Sequence, residues 1–132
     1  LNGALAGLVS ITAEPLAPSP LLAIGIGVVG SLVMYFGTNW LNSLRLDDVV
    51  GAIPVHLFAG VWGTLAVTLS NSEASLTTQM VGILSVTVFT FIFSYIAFFI
   101  LKQFVGLRIS EEAERLGTDV AEIGVRAYAI RD

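Results

Sequence analysis

His56 is the only histidine in the chain, and it stands inside a stretch without formal charge that runs from Val49 to Ser72. A neutral imidazole carries one donor and one acceptor and exchanges a proton near neutral pH. At about 1.5 Å per residue a helix over that stretch reaches ~36 Å, enough to cross a ~30 Å hydrocarbon core. An ionisable group at such depth is costly and usually faces a bundle interior or a pathway rather than lipid. His56 is therefore the candidate lining group of a conduction path. On a helix its neighbours three, four and seven positions away are Ala52, Ile53, Ala59, Gly60 and Gly63, mostly small, which predicts a roomy face. Gly60 and Gly63 also suit close packing of this helix against another. Pro54 removes a backbone donor just before the histidine, which frees a carbonyl and favours a bend. The same residues allow a blander role, in which His56 joins two helices by a hydrogen bond. Residue types alone leave both readings open.

Other chemistries find little support. With no cysteine there is neither a disulfide framework nor a thiolate metal site. A lone histidine without a carboxylate in its apolar run does not make a zinc site, so no metal, cofactor or catalytic residue is assigned. The net charge of −4 comes largely from ends and loops, and no basic patch exists to neutralise the phosphates of a nucleic acid. Gly25-Ile26-Gly27-Val28-Val29-Gly30 has the glycine spacing of a dinucleotide loop. It neither follows a strand nor opens a helix of a βαβ unit, and close helix packing explains it better.

The elements that must position His56 follow from charge segregation. Only 12% of residues are charged, against about 25% in soluble domains. Three uncharged runs, Pro15 to Leu44, Val49 to Ser72 and Ala74 to Leu101, are too long to be core helices of so short a soluble chain. They predict an all-α, polytopic membrane bundle with spans at about 21–42, 49–69 and 79–101. The opening stretch, residues 1–13, is apolar but lacks the basic start of a signal peptide, and reads as a further membrane helix cut at its beginning. Its Gly3 and Gly7 have the spacing that lets a neighbouring backbone approach. Three prolines between Glu14 and Pro20 end it.

Asp47 or Asp48 is placed to cap the helix of His56. Phe89, Phe91, Phe93, Phe98 and Phe99 crowd the last span and are expected to face lipid or pack, rather than to gate. All six basic residues lie in the loop with Arg45 or in the tail from Lys102. Positive-inside counting puts both in the cytoplasm. The tail, residues 102–132, is too polar to span. Ser110 followed by Glu111, Glu112 and Glu114 reads as a capped helix start, and Gly117 and Gly124 break any long helix.

Three motifs carry a resemblance. Asn2-Gly3-Ala4-Leu5-Ala6-Gly7-Leu8-Val9-Ser10-Ile11-Thr12 resembles the signature helix of the Amt/Rh ammonium transporter family. Asp47 to His56, followed by Gly60-Val61-Trp62-Gly63-Thr64-Leu65, resembles that family's helix with the second pore histidine. Val105-Gly106-Leu107-Arg108-Ile109-Ser110-Glu111-Glu112, then Glu114-Arg115-Leu116-Gly117-Thr118-Asp119, resembles its regulatory tail.

The resemblance covers essentially the whole chain in order. It implies the last four helices of an eleven-helix bundle of the bacterial type, assembled as a homotrimer in the cell membrane, with a cytoplasmic regulatory tail that can meet PII-type signalling proteins. It also implies transport of ammonium or ammonia through a narrow apolar pore lined by two histidines, of which His56 matches the second. In the tail, Gly106, Arg108, Glu114, Gly117 and Asp119 match the regulatory segment. The chain departs from the family at Leu57 and Ala59, where glycine and cysteine are common, and at Pro54. Near the end, Ile123 and Val125 replace the polar groups found before the final tyrosine, here Tyr128. A transporter is the activity so implied. An ammonium sensor signalling through its tail is the rival reading.

Overall fold

In hydrocarbon every backbone N–H and C=O must be paired within the protein, which favours helices wherever charge-free runs span the bilayer. The computed structural model describes residues 1–16 and 19–127, and among these there is no strand. The helices are α1 (Asn2–Ile11), α2 (Pro20–Ser43), a π-helical turn (Ile53–Phe58) leading into α3 (Ala59–Ser70), α4 (Leu76–Phe104) and α5 (Glu111–Leu116). A second π-helical turn follows at Asp119–Ile123. Three helical stretches are long and apolar enough to cross a membrane: Pro20–Ser43, Ile53–Ser70 and Leu76–Phe104. The chain divides into two units, Leu1–Thr87 and Val88–Asp132.

Within the first unit, helix starts follow local chemistry. The Ser19 side chain accepts from Leu22 N at 3.2 Å, with Pro20 opening α2. Asp48 caps the helix of His56 with both carboxylate oxygens, accepting from Ala52 N at 2.8 Å and Ile53 N at 2.7 Å. Gly51, at φ 73°, makes the turn between cap and helix. The helix therefore starts inside the charge-free run rather than at its beginning.

Small residues then bring α1 onto α2. A Cβ built on Gly7 would lie 3.3 Å from the Gly27 carbonyl oxygen, so backbone meets backbone at this crossing. The Ser31 hydroxyl reaches Gly3 O at 2.7 Å and Gly27 O at 3.0 Å. Ala6, Val55 and Ala59 form the buried centre, with Val9 and Met34 packed on it. Trp62 donates its indole N–H to Ile26 O at 3.0 Å, tying α3 to α2. Lipid tails are as apolar as leucine, so close backbone approach and interhelical hydrogen bonds must hold such helices together. The glycines at 27 and 30 belong to this packing and lie in the middle of α2.

The second unit begins within α4. Phe89, Phe91, Phe93, Phe98 and Phe99 are all exposed on it. Downstream, Ser110 accepts from Ala113 N at 3.2 Å and starts α5, which Gly117 ends. Tyr128 lies outside the described residues, as does Pro18 of the proline loop in the first unit.

A candidate conduction site and a pinned tail

Pro54 stands in the first turn of the helix of His56, where a missing N–H leaves no helical acceptor unpaired, and the chain there forms the wider π-helical turn over Ile53–Phe58. Val55 and Pro54 are turned inward, with Val55 only 2% exposed, whereas His56 lies on the exposed side of the same turn. His56 opens onto a cavity of about 380 Å³. Leu57, Gly60, Val61 and Thr64 line it beside the imidazole, and Gly82, Ile83, Val86 and Thr87 complete it. Thr64 gives its hydroxyl hydrogen to Gly60 O at 2.9 Å, which leaves the cavity with few free polar groups besides the imidazole. A small polar species entering it would find a largely apolar wall, with the His56 imidazole and the hydroxyls of Thr64 and Thr87 as its polar groups.

The small residues around His56 divide between two faces. Gly60 shares the cavity, and a Cβ there would make only ordinary contact, 3.8 Å from Val9 Cγ1. Ala59, fully buried, and Gly63 turn toward α1, where a Cβ on Gly63 would overlap the backbone of Ser10. Gly60 and Gly63 both lie in α3, where three residues of regular helix set them about 60° apart around the axis. The π-turn changes the angular register between the histidine and the residues that follow it.

Residue-by-residue reasoning passed over Asn2 and Ser10 as parts of this site. Asn2 Nδ2 donates to Val50 O at 3.3 Å. The Ser10 hydroxyl lies 2.8 Å from Ala6 O and 3.2 Å from Ala59 O. Their signal was available as two polar residues eight apart on an otherwise apolar helix, a spacing that puts both on nearly one face.

The tail residues form a second, separate arrangement. Arg108 pairs with Glu114 through both guanidinium and carboxylate forks. That hydrogen bond holds the Glu114 carboxyl below its ordinary range and raises Arg108. Asp119 accepts from Ala127 N at 2.7 Å, and this bond, followed by one from Val120 N, lowers its carboxyl too. A group with a lowered folded pKa stabilises the fold above its unfolded value, and that help is lost as pH falls through the folded value. The tail fold is thus held at neutral pH and loosens in acid. Gly106 and Gly117 sit at φ 82° and 89°. A Cβ on Gly117 would come within 2.6 Å of Asp119 Oδ1, so the turn needs glycine for its backbone and for its space.

Comparison with known proteins follows the whole chain. The family model described as the Ammonium Transporter Family matches residues 1–128. A relative from Synechocystis sp. is 41% identical over 94% of this chain and 28% of its own length. Ammonium transporter Amt2 of Archaeoglobus fulgidus is 37% identical over 96% of this chain and 31% of its own. The ammonium transporter of Bacillus subtilis is 35% identical over 97% of this chain and 36% of its own. The chain thus spans about a third of the length of the curated relatives it matches.

Proposed function

Because the chain belongs to the ammonium transporter family, we propose that the intact protein carrying it moves ammonium or ammonia across the cell membrane along a path that His56 lines. The family and the three apolar spans make it a multi-pass membrane protein. The observation that carries the reading is the family match along nearly the whole chain, joined to a single imidazole that opens on an apolar cavity.

Physical chemistry supplies the steps. Stripping water from an ammonium ion in an apolar cavity costs far more than a few kcal/mol unless the charge is shed or paired. The imidazole of His56 accepts a hydrogen bond or a proton from the ion at one nitrogen. Where the proton passes to the ring, the resulting imidazolium holds neutral ammonia by a donated N–H, with Leu57 and Val61 lining the path. A second histidine, contributed from outside this chain, completes the pair. Three copies assemble, each with its own path, and the tail on the cytoplasmic face tunes conduction and meets PII-type proteins.

Flux is measured with the intact protein in proteoliposomes under an inward gradient of isotope-labelled ammonium. Uptake above that of protein-free vesicles is expected, since ammonia alone leaks through lipid. Equal uptake would overturn the transport reading, and saturable binding without flux would favour the sensor.

Two further outcomes follow from the same reading. The placement of basic residues puts the loop around Ser75 outside and Ser110 inside. With no cysteine in this chain, a cysteine introduced at Ser75 should react with an impermeant thiol reagent in intact cells, and one at Ser110 only after permeabilisation. Reversed accessibility would sink the topology. Gly117→Val should lower flux severalfold without loss of assembled protein, because it strains a turn at positive φ and crowds Asp119 in a segment outside the bilayer. Full activity, together with unchanged response to PII-type partners, would remove the regulatory role from this turn.

A further inference from the structure

The turn that leads into the helix of His56 is held from α1. The carbonyl of Val50 lies just outside that helix, whose first intrahelical bond runs from Val55 N to Gly51 O at 3.0 Å. The carboxamide of half-buried Asn2, on α1, donates to it, with Nδ2 3.3 Å from Val50 O. Room for it comes from Gly51, where a Cβ would lie 2.7 Å from Asn2 Nδ2. At the other end of the π-turn, Ser10 is 2% exposed, with its hydroxyl 2.8 Å from Ala6 O on its own helix and 3.2 Å from the carbonyl of Ala59, the first residue of α3. Gly30 on α2 leaves the space that the Ser10 side chain occupies. One face of α1 therefore touches both ends of the irregular turn that carries His56, through two polar groups on an otherwise apolar helix.

We infer that Asn2 and Ser10 are positioning residues which hold the π-turn in register and so aim the His56 imidazole into the cavity. A π-turn lies close in energy to the ordinary helical register and persists where its surroundings favour it. Asn2 holds the Val50 carbonyl at the entry to the turn, and Ser10 stands where the wide turn closes into α3. If the turn relaxed, every residue between 54 and 59 would rotate about the helix axis, and His56 would leave the face it shares with Gly60 and Thr64. The inference rests on the conduction role of His56 for its functional consequence but not for its structural one.

The decisive experiment is a double-mutant cycle in the intact protein. Asn2→Ala should lower flux per assembled protein about fivefold, the effect of one neutral hydrogen bond, and should shift the pH profile of transport. In a His56→Ala background there is no imidazole left to aim, so Asn2→Ala should there lower flux no further. An equal fold-change in both backgrounds, or a loss that only tracks the amount of folded protein, would overturn the proposal. Should Asn2→Ala fail to assemble, Ser10→Ala tests the other end by deleting one hydroxyl, with the same pH shift expected and an unchanged profile counting against the idea. The His56 imidazole resonance, assigned by its disappearance in His56→Ala, is read in parallel. Its displacement in Asn2→Ala supports the brace even where flux proves independent of His56, and an unmoved resonance refutes it.

Discussion

His56→Ala in the intact protein is expected to cut ammonium flux per assembled protein by on the order of tenfold or more, the scale of one hydrogen bond to a charged group lost from the conduction step. The cavity geometry is the reason: the imidazole is the one ionisable group in a largely apolar wall, and the hydroxyls of Thr64 and Thr87 beside it cannot take up a proton in its place. Folding should survive, because the side chain lies on the exposed side of its turn. His56→Glu is the sharper companion. It keeps a titratable group at the same place but changes which proton is held near neutral pH, so the ratio of current to flux should change even where flux persists. A histidine that merely joins helices makes the opposite forecast, with lower stability in detergent and full flux per folded protein. Measuring current, flux and thermal midpoint on the same preparations separates the two, and unchanged flux and current for both substitutions would remove His56 from the path.

Much of this arrangement is legible without coordinates because the bilayer simplifies the rules. Charge-free runs of sufficient length have no alternative to helix, so the spans at Pro20–Ser43 and Leu76–Phe104 follow from where Glu14, Arg45, Glu73 and Lys102 stand. Caps are equally local: Asp48, Ser110 and Gly117 act where their types and positions suggest. What sequence leaves open is rotation about a helix axis. Pro54 signals that the ladder breaks but not whether the helix kinks or widens. Where His56 stands relative to Gly60 and Gly63 depends on that choice. The same limit applies to Asn2, whose partner is a turn carbonyl 48 residues further along the chain, on the approach to another helix. On α4, apolar all round, no periodicity marks one face as inward, and Phe89 or Phe98 could have faced either way.

Gly63→Ala and Gly60→Ala, one methyl group each and less than a turn apart, are expected to fail in different assays. At Gly63 the new Cβ would run into the backbone of Ser10, which cannot swing aside as a long side chain can, so α1 and α3 must separate. Overpacking of this kind costs about 1–3 kcal/mol, and the parting also weakens the Ser10 hydroxyl contact to Ala59 O. The thermal midpoint and the yield of assembled protein in detergent should both fall, while whatever protein does assemble transports at a rate reduced mainly by the displaced π-turn. At Gly60 the added Cβ meets Val9 Cγ1 at 3.8 Å, an ordinary contact, so stability should hold. That methyl instead narrows the cavity beside His56, and flux per assembled protein should drop. The pair of assays therefore crosses: Gly63→Ala moves the midpoint more than the specific flux, and Gly60→Ala does the reverse. Were both variants to lose stability alike, the two glycines would not face different neighbours as described. His56 and Gly60 would then share the buried face with Gly63, and the cavity would have to be sought elsewhere on the helix.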